Sequence, residues 1–139
     1  MRVAVIYIPA GGSGRLKALA ESLARGFESS GHRAELFDAV PQAVAAFDYV
    51  AFGVEAAGLG ANLQGKAALA LKGASGLEGK RSFAFVRKSG LRPARLLGRL
   101  MSAMEAAGMR VTYSEILSGA DEAGTAARNA PVERNQARG

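Results

Sequence analysis

Apolar and polar residues change their spacing repeatedly along the chain, and each change predicts an element. Val3, Ala4, Val5, Ile6, Tyr7 and Ile8 form an unbroken apolar run, rich in β-branched side chains, that reads as a buried strand. Gly11, Gly12 and Gly14 then break it. Leu16, Leu19, Ala20, Leu23, Ala24 and Phe27 follow at helical spacing and make one apolar stripe, closed by Gly31 and His32. Residues 33–37 read as a second strand ending at Asp38, and 41–47 as a short helical or irregular link. The stretch from Tyr49 to Val54 is apolar enough for a strand buried on both faces. After the Gly/Ala-rich loop 55–62 the pattern predicts a helix from Leu63 to Leu71, with Gly73, Gly76 and Gly79 in the turns beyond it. Residues 82–86 read as a fourth strand and 87–92 as a loop.

Pro93 suits the first turn of the next helix, whose core stripe is Leu96, Leu97, Leu100, Met101 and Met104 and whose end is Gly108. Arg92, Arg95 and Arg99 fall on a different side of it. Residues 110–117 predict a fifth strand. Residues 118–130 are small and polar, and Pro131 opens a short last helix over 131–139.

Five strands alternating with helices argue for a parallel sheet covered on both faces. In such a sheet the carboxyl ends of the strands share one edge. The first strand, its glycine turn and the helix beyond it build a loop at a helix N-terminus, where bare N–H groups and the helix dipole favour a phosphate. Gly11, Gly12, Ser13 and Gly14 are the candidate donors there. Arg15 and Lys17 lie in the first helical turn, where the macrodipole opposes cations by about 0.3–1 kcal/mol each, a penalty that an anion in the loop would reverse. Arg87, Lys88 and Arg92 are expected on the same rim. The segments from Leu63 to Lys66 and from Leu77 to Lys80 look alike, but their flanks do not match, so they predict no repeat architecture.

Composition narrows the chemistry. The 139 residues fit one domain, and a hydrophobic content of 49% with 22% charged residues is that of a globular chain. The apolar run from Val3 to Ile8 is too short to cross a bilayer and lacks a signal-peptide cleavage pattern, so no membrane partner and a cytoplasmic location are expected. With no cysteine and one histidine, thiolate chemistry is absent from the chain and a transition-metal site is not expected. Ser13 has no evident base at useful spacing, His32 reads as a solvent-facing turn residue, and Asp121 and Glu122 as solvated carboxylates on a loop.

The formal net charge is +6, and Lys80, Arg81, Arg87, Lys88, Arg92, Arg95 and Arg99 follow one another with no acidic residue between them. Such a block suits an anionic partner. No zinc finger, helix-turn-helix or aromatic RNA-binding signature accompanies it, so nucleic acid is set aside. Gly12-Ser13-Gly14 lacks the third glycine of a dinucleotide fingerprint, and no GK[ST] triplet follows to make a P-loop.

The order of elements and the first loop resemble the flavodoxin-like family, which includes FMN-binding flavodoxins and NAD(P)H-quinone reductase-like proteins. Val5-Ile6-Tyr7 resembles the end of that family's first strand, Gly12 its central loop glycine and Ala18 its helix alanine. Gly79-Lys80 resembles the entry to its fourth strand, and the segment from Met104 to Val111 its last helix-to-strand junction. The resemblance runs from Met1 to about Arg138. It implies a three-layer α/β sandwich with a five-stranded parallel sheet in the order 2-1-3-4-5, helices on both faces, and FMN as first candidate ligand. Electron transfer or flavin-dependent reduction would then be the activity, with a redox protein as partner.

The residues it places at the ligand are Gly11, Gly12, Ser13, Gly14, Arg15, Glu55, Arg87, Lys88, Ser89 and Gly90. Here the sequence departs from the family. Ser13 is the only hydroxyl of the first loop, and the loops after the third and fourth strands carry no aromatic, so FMN is expected to bind weakly. The alternative is a flavin-free domain that docks an anionic partner through its basic rim. The family's closing helix, expected here at 131–139, is short or truncated; an uncovered sheet face and self-association would follow.

Overall fold

The computed structural model describes residues 1–10, 14–55, 62–88 and 92–133. Five strands, β1 (Arg2–Ile8), β2 (Arg33–Phe37), β3 (Tyr49–Val54), β4 (Arg81–Arg87) and β5 (Arg110–Leu117), pair in parallel in the order β2-β1-β3-β4-β5. Four helices cover the sheet: α1 (Arg15–Ser29) and α4 (Ala120–Asn129) on one face, α2 (Leu63–Leu71) and α3 (Pro93–Ala106) on the other. The link before β3 holds a single 3-10 turn at Val44–Ala46.

Alternation along the strands sorts the core into two clusters. Val3, Val5, Tyr49, Ala51, Phe83 and Phe85 face α1 and α4, whereas Ala4, Ile6, Val50, Phe52, Ala84 and Val86 face α2 and α3. The central strands therefore read as continuous apolar runs, as strands covered on both sides must. At the edge, β5 keeps Val111 and Tyr113 on opposite faces although they are two residues apart. Thr112 is the extra residue that makes this possible, inserted between the pairs Ser82↔Val111 and Phe83↔Tyr113. Its hydroxyl donates to the Ser82 carbonyl at 3.1 Å and accepts from the Tyr49 hydroxyl at 3.0 Å. Burial pushes the Tyr49 phenol up to about 12, against the lowering effects of Thr112 and the Arg81 cation.

Three expectations fail. Residues 118–130 are not an irregular polar segment: α4 occupies Ala120–Asn129, and Pro131, Val132 and Glu133 are not helical. Its core stripe is Ala123, Ala126 and Ala127, small enough for α4 to lie close against α1, where Gly26 leaves no room for a side chain. A Cβ on Gly26 would stand 2.6 Å from Ala127 Cβ and 3.2 Å from the Gly124 carbonyl oxygen. The sheet face expected to be bare is covered, with Ala130 and Val132 completing the cluster, so the motive for self-association through that face is gone. His32 does not face solvent either. It is 6% exposed, and desolvation, reinforced by the chain's N-terminal amine, lowers its pKa from the usual 6.5. Among the described residues no helix is long and apolar enough to cross a membrane.

Candidate ligand site at the carboxyl ends of the strands

β1 and β3 are neighbours, paired through Ile8↔Val54, yet the chain leaves them in opposite directions. From β1 it turns to α1 on one face, and from β3 to α2 on the other. Connections that diverge from adjacent strands open a crevice beyond the sheet edge, the general ligand position of open α/β sheets. The structure brings the ends of β1, β3 and β4 to that rim, as the sequence pattern requires. Gly11, Gly12, Ser13, Ser89 and Gly90 lie outside the described residues.

Of the remaining candidates, Gly14 is the N-cap of α1 at φ +68° and accepts the first helical hydrogen bond from Ala18 N at 3.0 Å. No acidic residue lies in the first turn of α1, α2 or α3. Arg15 is exposed at the start of α1, and Lys88 is exposed just beyond β4. Glu55 and Arg87 meet each other. Arg87 Nε donates to Glu55 Oε2 at 2.9 Å, with the two side chains only 23% and 10% exposed. The Arg87 charge is therefore met within the protein, leaving Lys88, Arg92 and Arg95 as exposed cations of the basic block at this rim.

Sequence reasoning passed over Lys66. From the first turn of α2 its ammonium donates to the Pro9 carbonyl at 2.7 Å and to the Glu55 carbonyl at 3.0 Å, bridging the ends of β1 and β3. A cation in a helix's first turn is opposed by roughly 0.3–1 kcal/mol. Hydrogen bonds from a charged donor contribute about 1.5–3 kcal/mol each, so the bridge wins. Glu55 N also donates to the Ile8 carbonyl at 3.0 Å, and Lys88 N to the Leu117 carbonyl at 2.8 Å. The ends of β1, β3, β4 and β5 are thus laced together.

Asp121 and Glu122 also belong to this edge, on the first turn of α4 rather than on a loop. The Ser118 hydroxyl, then the Ser118 backbone N–H, with Lys88 a lesser contributor, hold the Glu122 carboxyl below its usual range. α4 thus carries carboxylates at its positive end, unlike the other three helices. A groove of about 600 Å³ between α2 and α3, lined mainly by alanine, glycine and leucine, lies away from this rim.

Solved structures share the whole architecture. A flavodoxin from the domain Archaea superposes with a TM-score of 0.62 at 17% identity, over 99% of both chains. The fold is flavodoxin-like. Two more flavodoxin structures extend the likeness. That of Streptococcus pneumonia TIGR4 gives a TM-score of 0.66 at 12% identity, over 92% of this chain and 93% of its own. That of Megasphaera elsdenii, in its two-electron reduced form, gives 0.55 at 21% identity, over 92% of this chain and 99% of its own. No family model and no curated protein matches the sequence. The flavodoxin-like fold therefore rests on arrangement rather than on shared residues.

Proposed function

We propose that this flavodoxin-like protein binds a phosphate-bearing ligand, FMN the first candidate, at the carboxyl rim of its sheet and acts as an electron carrier for a redox protein. The observation that carries the reading is the β1/β3 divergence, with a glycine N-cap and, among the described residues, no side-chain cap at the start of α1. In the flavodoxin-like strand order that switch point is where FMN is held. The chain's donors suit the phosphate end: the backbone from Gly11 to Gly14, with Arg15 and Lys88 supplying charge. Glu55, Arg87, Ser89 and Gly90 would border the ring. FMN would supply the redox chemistry, while the protein holds and orients it.

Residues 56–61 and 89–91 contain no aromatic to stack on a flavin, and each such contact is worth about 0.5–1.5 kcal/mol beyond area burial. Binding is accordingly expected in the micromolar range or weaker, with the cofactor lost on purification. Titration of the purified protein with FMN, followed by flavin fluorescence, tests this. Saturable one-to-one binding supports the reading, and no change at millimolar FMN overturns it. The exposure of Lys88, Arg92 and Arg95 favours a second reading, a flavin-free module that docks an anionic partner through the same rim.

A further inference from the structure

Lys66 is a cation that donates to two backbone carbonyls rather than to a carboxylate, and those carbonyls belong to different strand ends. Pro9 leads into residues 11–13, and Glu55 leads into residues 56–61. The helices that follow them, α1 and α2, lie on opposite faces of the sheet. Strand pairing fixes β1 against β3 only as far as Ile8↔Val54, with one further backbone bond from Glu55 N to the Ile8 carbonyl. Beyond that point, among the described residues, the Lys66 ammonium joins the two strand ends. Glu55 extends the lacing sideways, because its carboxylate accepts from Arg87 at the end of β4.

We infer that Lys66 is a positioning residue: a latch that sets the spacing of the β1 and β3 ends at Pro9 and Glu55 and so the width of the ligand crevice. It acts through backbone atoms rather than by touching the ligand. The inference rests on the ligand reading above for its functional consequence, but the latch can be measured without any ligand. Losing the latch frees the two strand ends to part, and a ligand held by both connections must then spend binding energy on bringing them together.

The test compares wild-type protein, Lys66→Met and Lys66→Arg, the last of which keeps a charged, multidentate donor. In the ligand-free state, Lys66→Met should speed hydrogen exchange at the Glu55 amide by about tenfold, the loss of one good hydrogen bond's worth of protection. The Arg33 amide, bonded to the Met1 carbonyl at the far end of the sheet, should not change. FMN affinity should fall about tenfold in Lys66→Met and stay within about threefold in Lys66→Arg.

A general stability role would speed exchange at both ends of the sheet alike. Unchanged Glu55 exchange, unchanged FMN affinity, or failure of Lys66→Arg to restore either overturns the latch. If Lys66→Met does not fold by circular dichroism, Lys66→Gln, uncharged but still a donor, replaces it. A wild-type protein that ignores FMN refutes the ligand reading alone, and the exchange comparison still upholds or overturns the latch.

Discussion

The two ends of the sheet are built from similar residues and put to different use. At the amino end, Arg2, Lys80 and Arg81 are met by the protein, while Arg33 and Arg110 are exposed. Arg2 pairs with Glu35 at 3.7 Å, and its backbone N–H donates to Asp48 at 2.7 Å. Lys80 donates to the Ala45 and Phe47 carbonyls, and Arg81 to those of Val132 and Pro131 at 2.7 and 2.6 Å. The turns there that need a positive φ all have glycine: Gly31, Gly73, Gly76, Gly79 and Gly108. At the carboxyl end Lys66 and Arg87 are met, but Lys88, Arg92 and Arg95 stand exposed. Two of the three left-handed residues that start helices at that rim are not glycine, Asn62 at φ 70° and Arg92 at φ 47°. Asparagine tolerates this conformation, but it costs a residue such as Arg92 about 1–2 kcal/mol, and backbone strain of this kind gathers at functional sites. One end is built for stability, and the other forgoes some of it.

The contrast can be broken most severely at Gly26, near the carboxyl terminus of α1 and so at the amino end of the sheet. Gly26→Leu forces a side chain into Ala127 and the Gly124 backbone and should destabilise by roughly 3 kcal/mol, read from urea unfolding. A loss under about 1 kcal/mol would mean that α4 can slide away, and that its packing is looser than the structure indicates. Arg81→Met comes next. It removes two charged hydrogen bonds and the cation near the Tyr49 ring, at a cost of about 2 kcal/mol and with FMN affinity unaltered.

At the opposite rim, Arg92→Gly with Arg95→Ala should leave the thermal midpoint unchanged or slightly raised, because strain at position 92 is relieved. Any anion affinity should weaken and lose part of its salt dependence. A midpoint that falls as far as that of Arg81→Met would erase the distinction between the ends.

The smallest effect concerns His32. Its folded pKa lies below the unfolded 6.5, so the unfolded chain binds the extra proton first. The stability it contributes is full above pH 6.5 and is lost as pH falls through the lowered folded pKa. His32→Asn should flatten that slope between pH 6.5 and the carboxylate range, measured as urea midpoint against pH.

How far the sequence was legible follows from what holds each part. The central strands and α1 announce themselves through continuous or periodic large apolar residues, and α3 through Pro93 and Gly108 as its bounds. α4 escapes because its buried stripe is alanine, a residue that carries little hydrophobic contrast against the glycine, serine and threonine around it. The rim was placed correctly because parallel strands must end together. Its lacing was not, because Arg87 and Glu55 lie 32 positions apart and the partners of Lys66 are main-chain carbonyls, which no side-chain pattern encodes. The similar segments ending in Lys66 and Lys80 open α2 and lead into β4 respectively, so their likeness makes no repeat. The two lysines do matching work, each binding two carbonyls, at opposite ends of the sheet.

The uniformly parallel pairing has a kinetic consequence. β1 joins both β2 and β3, and its partners Arg33 and Tyr49 lie about thirty or more positions downstream of Arg2 and Val3. Ser82 and Arg110 stand equally far from their partners Val50 and Arg81. No strand pair is a hairpin, so the chain must close long loops before any sheet contact rewards it. Folding times in the millisecond-to-second range are expected. β1 takes part in two of the four strand pairings, so truncating Val5 should slow refolding more than it speeds unfolding.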